Sequence, residues 1–269
     1  MALSHHVDWD PQFVQRNAWL WPLARAASAL AACSDWPTLE QLDALHAAIA
    51  ARRGGEPLRF APDVRTRRRA ADVPASERYD GRIALRGEVP TRPRHWHDLL
   101  NALCFATWPR SKRALHARQF AAHGRREPGL RVGVRTAEQD ALTLFDEGGV
   151  VIAVQASAAA ELRMALVRAD DAAVAAFERA GHARITPFGH ALFEHMVEEL
   201  PCPGATARTI VLDVLPRDPE LLLDSLDADL ARELADSTRF LAPAENMHLR
   251  LPVRASVEKM GAPSVVRDR

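Results

Sequence analysis

Apolar positions along the chain recur mostly at helical spacing. Leu39, Leu42, Leu45 and Ile49 fall on one face behind the capping pair Thr38 and Gln41, which predicts a helix over 38 to 52 stopped by Gly54 and Gly55. Ahead of it, Trp9, Phe13, Trp19 and Trp21 mark one or two shorter helices broken at Pro22, with the aromatics expected to dock on the main body. From Pro57 to Pro93 prolines and the run Arg65-Thr66-Arg67-Arg68-Arg69 interrupt any period, so this stretch reads as extended loop with a short strand at 82 to 85. Helices are predicted over 95 to 108, 113 to 122, 158 to 168, 171 to 180 and 190 to 200, with a turn at 124 to 127. A last helix starts at Asp218-Pro219 and carries the stripe Leu222, Leu226, Leu230 and Leu234.

The strand pattern is sparser. Leu142-Thr143-Leu144-Phe145-Asp146 and Val150-Val151-Ile152-Ala153-Val154 flank Glu147-Gly148-Gly149, which predicts a hairpin near 142–154 turning on glycine. A short strand at 184 to 186 and a buried β-branched one at 209 to 215 complete the set, and the proline-containing tail from 242 onward reads as wrapping or disordered. The fold class expected is α+β, predominantly helical, with a small sheet. The organisation expected is an N-terminal helical region (1–56), a main α+β domain (57–240) and an extended or disordered tail (241–269).

A chain of 269 residues that is 48% apolar with 13 glycines is long enough for one large domain, or for a main domain carrying a smaller helical subdomain. Lys+Arg and Asp+Glu stand at 35 each, so no net field draws the molecule to nucleic acid or an anionic surface. Lys112 and Lys259 are the only lysines. Cys33, Cys104 and Cys202 form no C-x-x-C pair, which argues against a zinc ribbon or disulfide framework and suits a reducing compartment. Asp8 and Asp10 stand where a secretory signal would need an apolar run, and no stretch is long and apolar enough for a membrane span; a cytoplasmic location is expected.

The helix predicted over 95 to 108 is apolar on nearly every side, so His97, Asp98 and Asn101 are expected to lie inside the protein. His97 and Asn101 share a face one turn apart, and Asp98 points about 100 degrees away. Two readings stay open: His97 as general base or metal ligand with Asp98 or Asn101 beside it, or Asp98 serving the helix N-terminus while His97 and Asn101 tie loops to the core. Asp140, Asp146 and Glu147 could hold a divalent cation, with His190 as a further ligand. The pair His95-x-His97 opens a helix rather than a strand, and His190-x-x-x-Glu194-His195 misses the zinc-peptidase spacings. Between 110 and 135 only Glu127 opposes a series of bases, of which Arg110 and Lys112 are the candidate anion binders; the competing reading pairs those bases with the acidic stretch 218 to 236. Glycine-rich nucleotide loops and the G-x-S-x-G hydrolase elbow are absent.

Five segments together resemble the bacterial family catalogued as domain of unknown function 3025: Val89-Pro90-Thr91-Arg92, Trp96-His97-Asp98-Leu99-Leu100-Asn101-Ala102-Leu103, Trp108-Pro109-Arg110-Ser111-Lys112, Asp140-Ala141-Leu142-Thr143-Leu144-Phe145-Asp146-Glu147 and Phe188-Gly189-His190-Ala191-Leu192. The resemblance implies no reaction. It implies that His97, Asp98, Asn101, Lys112, Asp140, Asp146, Glu147 and His190 sit in the family's motifs. The family pattern has Asn at the position of His95, and its apolar C-terminal segment differs from the tail here.

The leading expectation is a small-molecule or phosphate-ester hydrolase with a divalent metal as candidate cofactor and a small anionic ligand as partner. The other expectation is a non-catalytic binding or scaffold protein that contacts RNA or a protein partner through its basic face.

Overall fold

The computed structural model describes residues 8–53, 56–63, 73–125, 134–200, 204–243 and 247–251. Its centre is a strand that is apolar in all but its last residue. Strand β3 (Gly149–Gln155) is buried from Gly149 through Val154, and its side chains alternate between two cores. Val150, Ile152 and Val154 enter one hydrophobic cluster with Leu100, Phe105 and Phe193. Val151 and Ala153 enter another with Trp108, Phe145, Leu226 and Phe240. A strand covered on both faces is expected to read as a continuous apolar run, and this one does.

Around it lies a four-stranded sheet in the order β4-β3-β5-β6. Strand β4 (Ala183–Pro187) pairs antiparallel with β3, Ile185 opposite Ile152. Strand β5 (Ala205–Leu212) runs parallel to β3, and β6 (Met247–Leu249) closes the edge antiparallel to β5. The hairpin predicted near 142–154 is therefore replaced. Residues 142 to 146 belong to helix α6 (Ala137–Gly148), whose start is set by a capping box between Thr136 and Gln139. Ala141, Leu142 and Phe145 are buried at helical spacing, and the apparent alternation of 142 to 146 was a short window on that period. Gly149 has an extended φ of −72°; its value is room, because a Cβ there would meet the Phe145 carbonyl at 2.2 Å.

The segment expected to be loop from 57 to 93 contains β1 (Arg59–Pro62) and β2 (Glu88–Thr91), a parallel pair, and between them α3 (Tyr79–Arg86), where a strand at 82 to 85 was predicted. Gly87, at φ 64°, ends α3 in the left-handed conformation that glycine tolerates. The arginine run 65 to 69, Gly54-Gly55 and most of the tail lie outside the described residues, as does part of the turn predicted at 124 to 127.

Among the described helices, α4 (Trp96–Thr107) and α5 (Pro109–Gly124) are separated only by Trp108, whose backbone leaves the helical region, and α5 opens with proline at its first position. Every residue of α4 from Leu99 to Thr107 is buried, as its all-round apolar pattern predicts. Helix α9 (His190–Val197) packs across α4. Helix α10 (Pro219–Ala235), capped by Asp218, lies along α5 and buries Leu222, Leu226, Leu230 and Leu234. The N-terminal aromatics join the first core: Phe13 meets Trp96 edge-on at 5.2 Å, and Trp19 is buried.

Candidate functional site

The sequence Phe188-Gly189-His190 places the first functional side chain. Phe188 stacks on Phe145 at 4.9 Å and meets Trp108 at 5.4 Å, anchoring the chain in the second core. The backbone N–H groups of Phe188 and Gly189 both donate to the Gly149 carbonyl at 2.9 Å. That clamp holds the start of α9 against the junction between α6 and β3, and it brings His190 beside Glu147 and beneath His97 of α4.

These three residues open onto a cleft of about 890 Å³, whose walls include Tyr79, Arg92, Asn101, His116 and Arg135. The His190 Nε2 atom lies 3.1 Å from His97 Nε2 and 3.3 Å from a Glu147 carboxylate oxygen. One donor atom from each of the three falls within 4.8 Å of the others. The far side of each ring is already engaged. His190 Nδ1 lies 3.0 Å from the Asp146 carbonyl, one of the free carbonyls at the end of α6, and His97 Nδ1 lies 2.9 Å from a carboxylate oxygen of Glu194 on α9.

Those partners set the tautomers. A carbonyl and a carboxylate only accept, so both Nδ1 atoms carry hydrogen, and in the neutral rings both Nε2 atoms present lone pairs to each other. Something positive must lie between them. One solution is a proton: the hydrogen bond to Glu194 raises the His97 pKa against its burial, whereas burial pushes His190 down to about 3, so His97 is the ring that charges. The other solution is a metal ion. Two ligands about 2.0–2.2 Å from one cation stand roughly 3 Å apart, the separation found here. Histidine ligands whose other nitrogen donates to a carbonyl or carboxylate are the usual outer-shell arrangement of metal sites. Glu147, its carboxylate partly open to the cleft, is raised by burial and by the nearby Asp146, so it too gains from a cation.

Beneath this group runs a buried network. The Lys112 ammonium is fully enclosed, donates to Asp146 and to Asn101 Oδ1 at 2.9 Å, and sits 4.7 Å above the Phe105 ring. Burial works to raise the Asp146 pKa, but Lys112, His116 and His190 outweigh it and hold the carboxylate well below the usual range. Asn101 Nδ2 donates to the Tyr79 hydroxyl at 2.6 Å. His116 Nδ1 lies 2.9 Å from Asp80, and its Nε2 is buried with no hydrogen-bond partner among the described residues, 3.9 Å from Asp146.

The residues singled out from sequence thus have different fates. His97, Asn101, Asp146, Glu147 and His190 are brought together. Asp98 lines the same cleft, but its carboxylate is engaged by Arg92 rather than by the His97 ring: Arg92 grips it with its guanidinium at 2.6 Å and its backbone N–H at 2.6 Å, and these bonds overcome burial and hold its pKa below the usual carboxylate range. Asp140 does not join the group. Neither Arg110 nor Lys112 lines this cleft: Lys112 is enclosed with Asp146, and Arg110 donates to Asp224 on α10 at 3.1 Å. Most of the basic series is likewise paired within the fold: Arg113 with Glu56, and Arg118 with Glu138 and the backbone carbonyls of Leu234 and Asp236. Tyr79, Asp80, His116 and Glu194 were not assigned roles from sequence. The spacing of His190 and Glu194 shows that they share a helical face, but not that this face meets α4.

Fold and site define a helix-rich α+β protein with a two-histidine, one-glutamate cluster at the floor of a polar cleft. Residues 66–255 match the family described as protein of unknown function (DUF3025), and the chain belongs to that family. No curated protein and no solved structure matches it.

Proposed function

We propose that this protein is a metal-dependent hydrolase of small phosphate esters or related anionic esters, with His97, His190 and Glu147 as the protein ligands of one divalent cation. The observation that carries the reading is the 3.1 Å approach of two imidazole Nε2 atoms whose Nδ1 atoms are both committed to acceptors. Two histidines and one carboxylate leave coordination positions open, the pattern of catalytic rather than structural sites, and the imidazole donors suit Zn²⁺. A cation held there supplies Lewis acidity and lowers the pKa of water in the cleft.

The chain's own groups have distinct tasks. Glu194 and the Asp146 carbonyl orient the two rings. His116, with Nδ1 turned to Asp80 and Nε2 3.9 Å from Asp146, backs the Asp146 carboxylate behind the cluster. Arg135 lines the cleft without an ion pair among the described residues and can meet a substrate anion.

The test is turnover of p-nitrophenyl phosphate and bis(p-nitrophenyl) phosphate by protein stripped of metal and then loaded with Zn²⁺, Mn²⁺ or Fe²⁺. Activity restored by metal and lost in His190→Ala supports the proposal. Activity that needs Fe²⁺ together with oxygen would replace hydrolysis by oxidation, and metal-independent activity that survives His190→Ala would end the metal reading.

A further inference from the structure

The hydrogen-bond chain Lys112–Asn101–Tyr79 has only one polarity. An ammonium has three donors and no acceptor, so the atom of Asn101 that faces Lys112 Nζ at 2.9 Å is its carbonyl oxygen. The amide group of Asn101 then faces Tyr79, and its N–H is the donor in the 2.6 Å contact with the phenol oxygen. With its oxygen receiving that bond, Tyr79 keeps its own hydrogen for another acceptor, and among the described residues none takes it. The buried charge of Lys112 therefore dictates, through an amide that cannot flip without placing N–H against ammonium, which way a hydroxyl on the cleft wall points.

The position of that hydroxyl is also defined. Tyr79 opens α3, its ring stands edge-on to His116 at 5.4 Å, and it lines the cleft together with His97, Glu147 and His190. Its partner Asn101 follows His97 by one turn on the same face of α4, a spacing of about 5–6 Å between Cβ atoms. The phenol and the three-ligand cluster thus face one shared cleft, which an anionic group bound at the cluster would occupy.

From this geometry we infer that Tyr79 is a substrate-binding residue whose hydroxyl donates a hydrogen bond to an oxygen of a phosphate group held in the cleft, with Asn101 and Lys112 as the positioning residues that fix its polarity. The inference rests on the proposed metal site for where the phosphate sits, but not for the direction of the hydroxyl. Desolvation and the neighbouring Asp146 carboxylate push the Tyr79 pKa well above that of a free phenol, so the group stays a donor throughout the neutral range. Such a donor adds to transition-state stabilisation if its hydrogen bond strengthens as charge gathers on that oxygen.

Tyr79 is the only tyrosine in the chain, which gives a direct probe. Protein carrying tyrosine labelled with ¹³C at Cζ shows one phenol resonance, and inorganic phosphate is titrated into the metal-free and the Zn²⁺-loaded forms. The expected result is a saturable movement of that resonance in the Zn²⁺-loaded protein, at the midpoint that calorimetry gives for phosphate. Tyr79→Phe should weaken phosphate binding about tenfold and leave Zn²⁺ affinity unchanged. Asn101→Leu removes the donor that fixes the phenol without adding charge, so it should weaken phosphate binding no more than Tyr79→Phe does, and the double variant should lose no more than Tyr79→Phe alone. A resonance that stays still, whether phosphate binds elsewhere or not at all, overturns the inference, and so does a double variant in which the losses add. Movement of the resonance to the same degree without Zn²⁺ upholds the role of Tyr79 and counts against the metal reading instead.

Discussion

Gly189 is packed so closely on the backbone of Glu147 that a Cβ at its position would lie 2.3 Å from the Glu147 carbonyl oxygen and 2.5 Å from the Gly149 nitrogen. Both contacts are with backbone, which cannot swing aside as a side chain does. Gly189→Ala is expected to destabilise the protein by about 3 kcal/mol, as overpacking does, and to separate His190 from Glu147. Denaturant unfolding should show the first effect and a roughly tenfold loss of Zn²⁺ affinity the second. Unchanged values of both would mean that α9 docks more loosely than its geometry shows.

The facing lone pairs of His97 and His190 predict a gain in stability from metal. At a free Zn²⁺ concentration of about 100 times Kd, binding contributes about 2.7 kcal/mol, which for a chain of this size raises the unfolding midpoint by about 5 °C or more. His97→Ala and His190→Ala should abolish the rise. Glu194→Gln, which changes only the group behind His97, should keep binding and weaken it at least tenfold. Calorimetric scans with and without Zn²⁺ decide the matter; an equal rise in all variants would place the ion elsewhere.

Lys112 and Asp146 form an ion pair with almost no access to water, Lys112 at 0% and Asp146 at 11% side-chain exposure. Removing one partner leaves the other charge buried, so Lys112→Met should cost about 3–5 kcal/mol. Lys112→Met/Asp146→Asn should recover a substantial part of that loss, because the orphaned charge is gone. A double variant as unstable as the single one would show that packing, not charge, sets the cost.

His46, in α2 (Leu39–Arg53), predicts an acid-side loss of stability remote from the cleft. Its Nδ1 accepts the Leu58 N–H at 3.2 Å, and burial lowers its pKa to about 4 from an ordinary value near 6.5. Between those values the unfolded chain binds a proton that the folded one does not, so stability falls as pH drops from about 6.5 and the loss levels off near 4, for at most about 3 kcal/mol. His46→Gln should flatten the stability profile over that interval when both proteins are unfolded in urea at several pH values.

What sequence made legible was what local periodicity controls. The leucine stripe of α10 and the all-round apolar α4 declared themselves because 3.6-residue spacing persists over three turns or more. The stretch 142 to 146 did not, because five residues of mixed polarity fit either period, and the deciding signal was the capping pair Thr136 and Gln139 upstream. The site divides in the same way. His97 and Asn101 could be placed on one face from their spacing alone, and Glu147 and His190 stood among the candidates. That Glu147 and His190 meet His97 is a tertiary fact, set by α9 crossing α4 and by the close fit at Gly189, and nothing in the local pattern encodes it. Helix α3 was missed, and with it Tyr79 and Asp80, because flanking prolines masked a helix of only eight residues.

The burial of Lys112 also bears on chemical reactivity. The only other lysine is Lys259, so the positive charge on the described surface comes from arginine, which amine-directed reagents pass over. Lys112 is reached only when the packing of α4, α5 and α6 around it opens. Its acylation by a mild anhydride, followed peptide by peptide in a mass spectrometer, would therefore clock the breathing of the interior, and an ion or phosphate bound in the cleft should slow that clock.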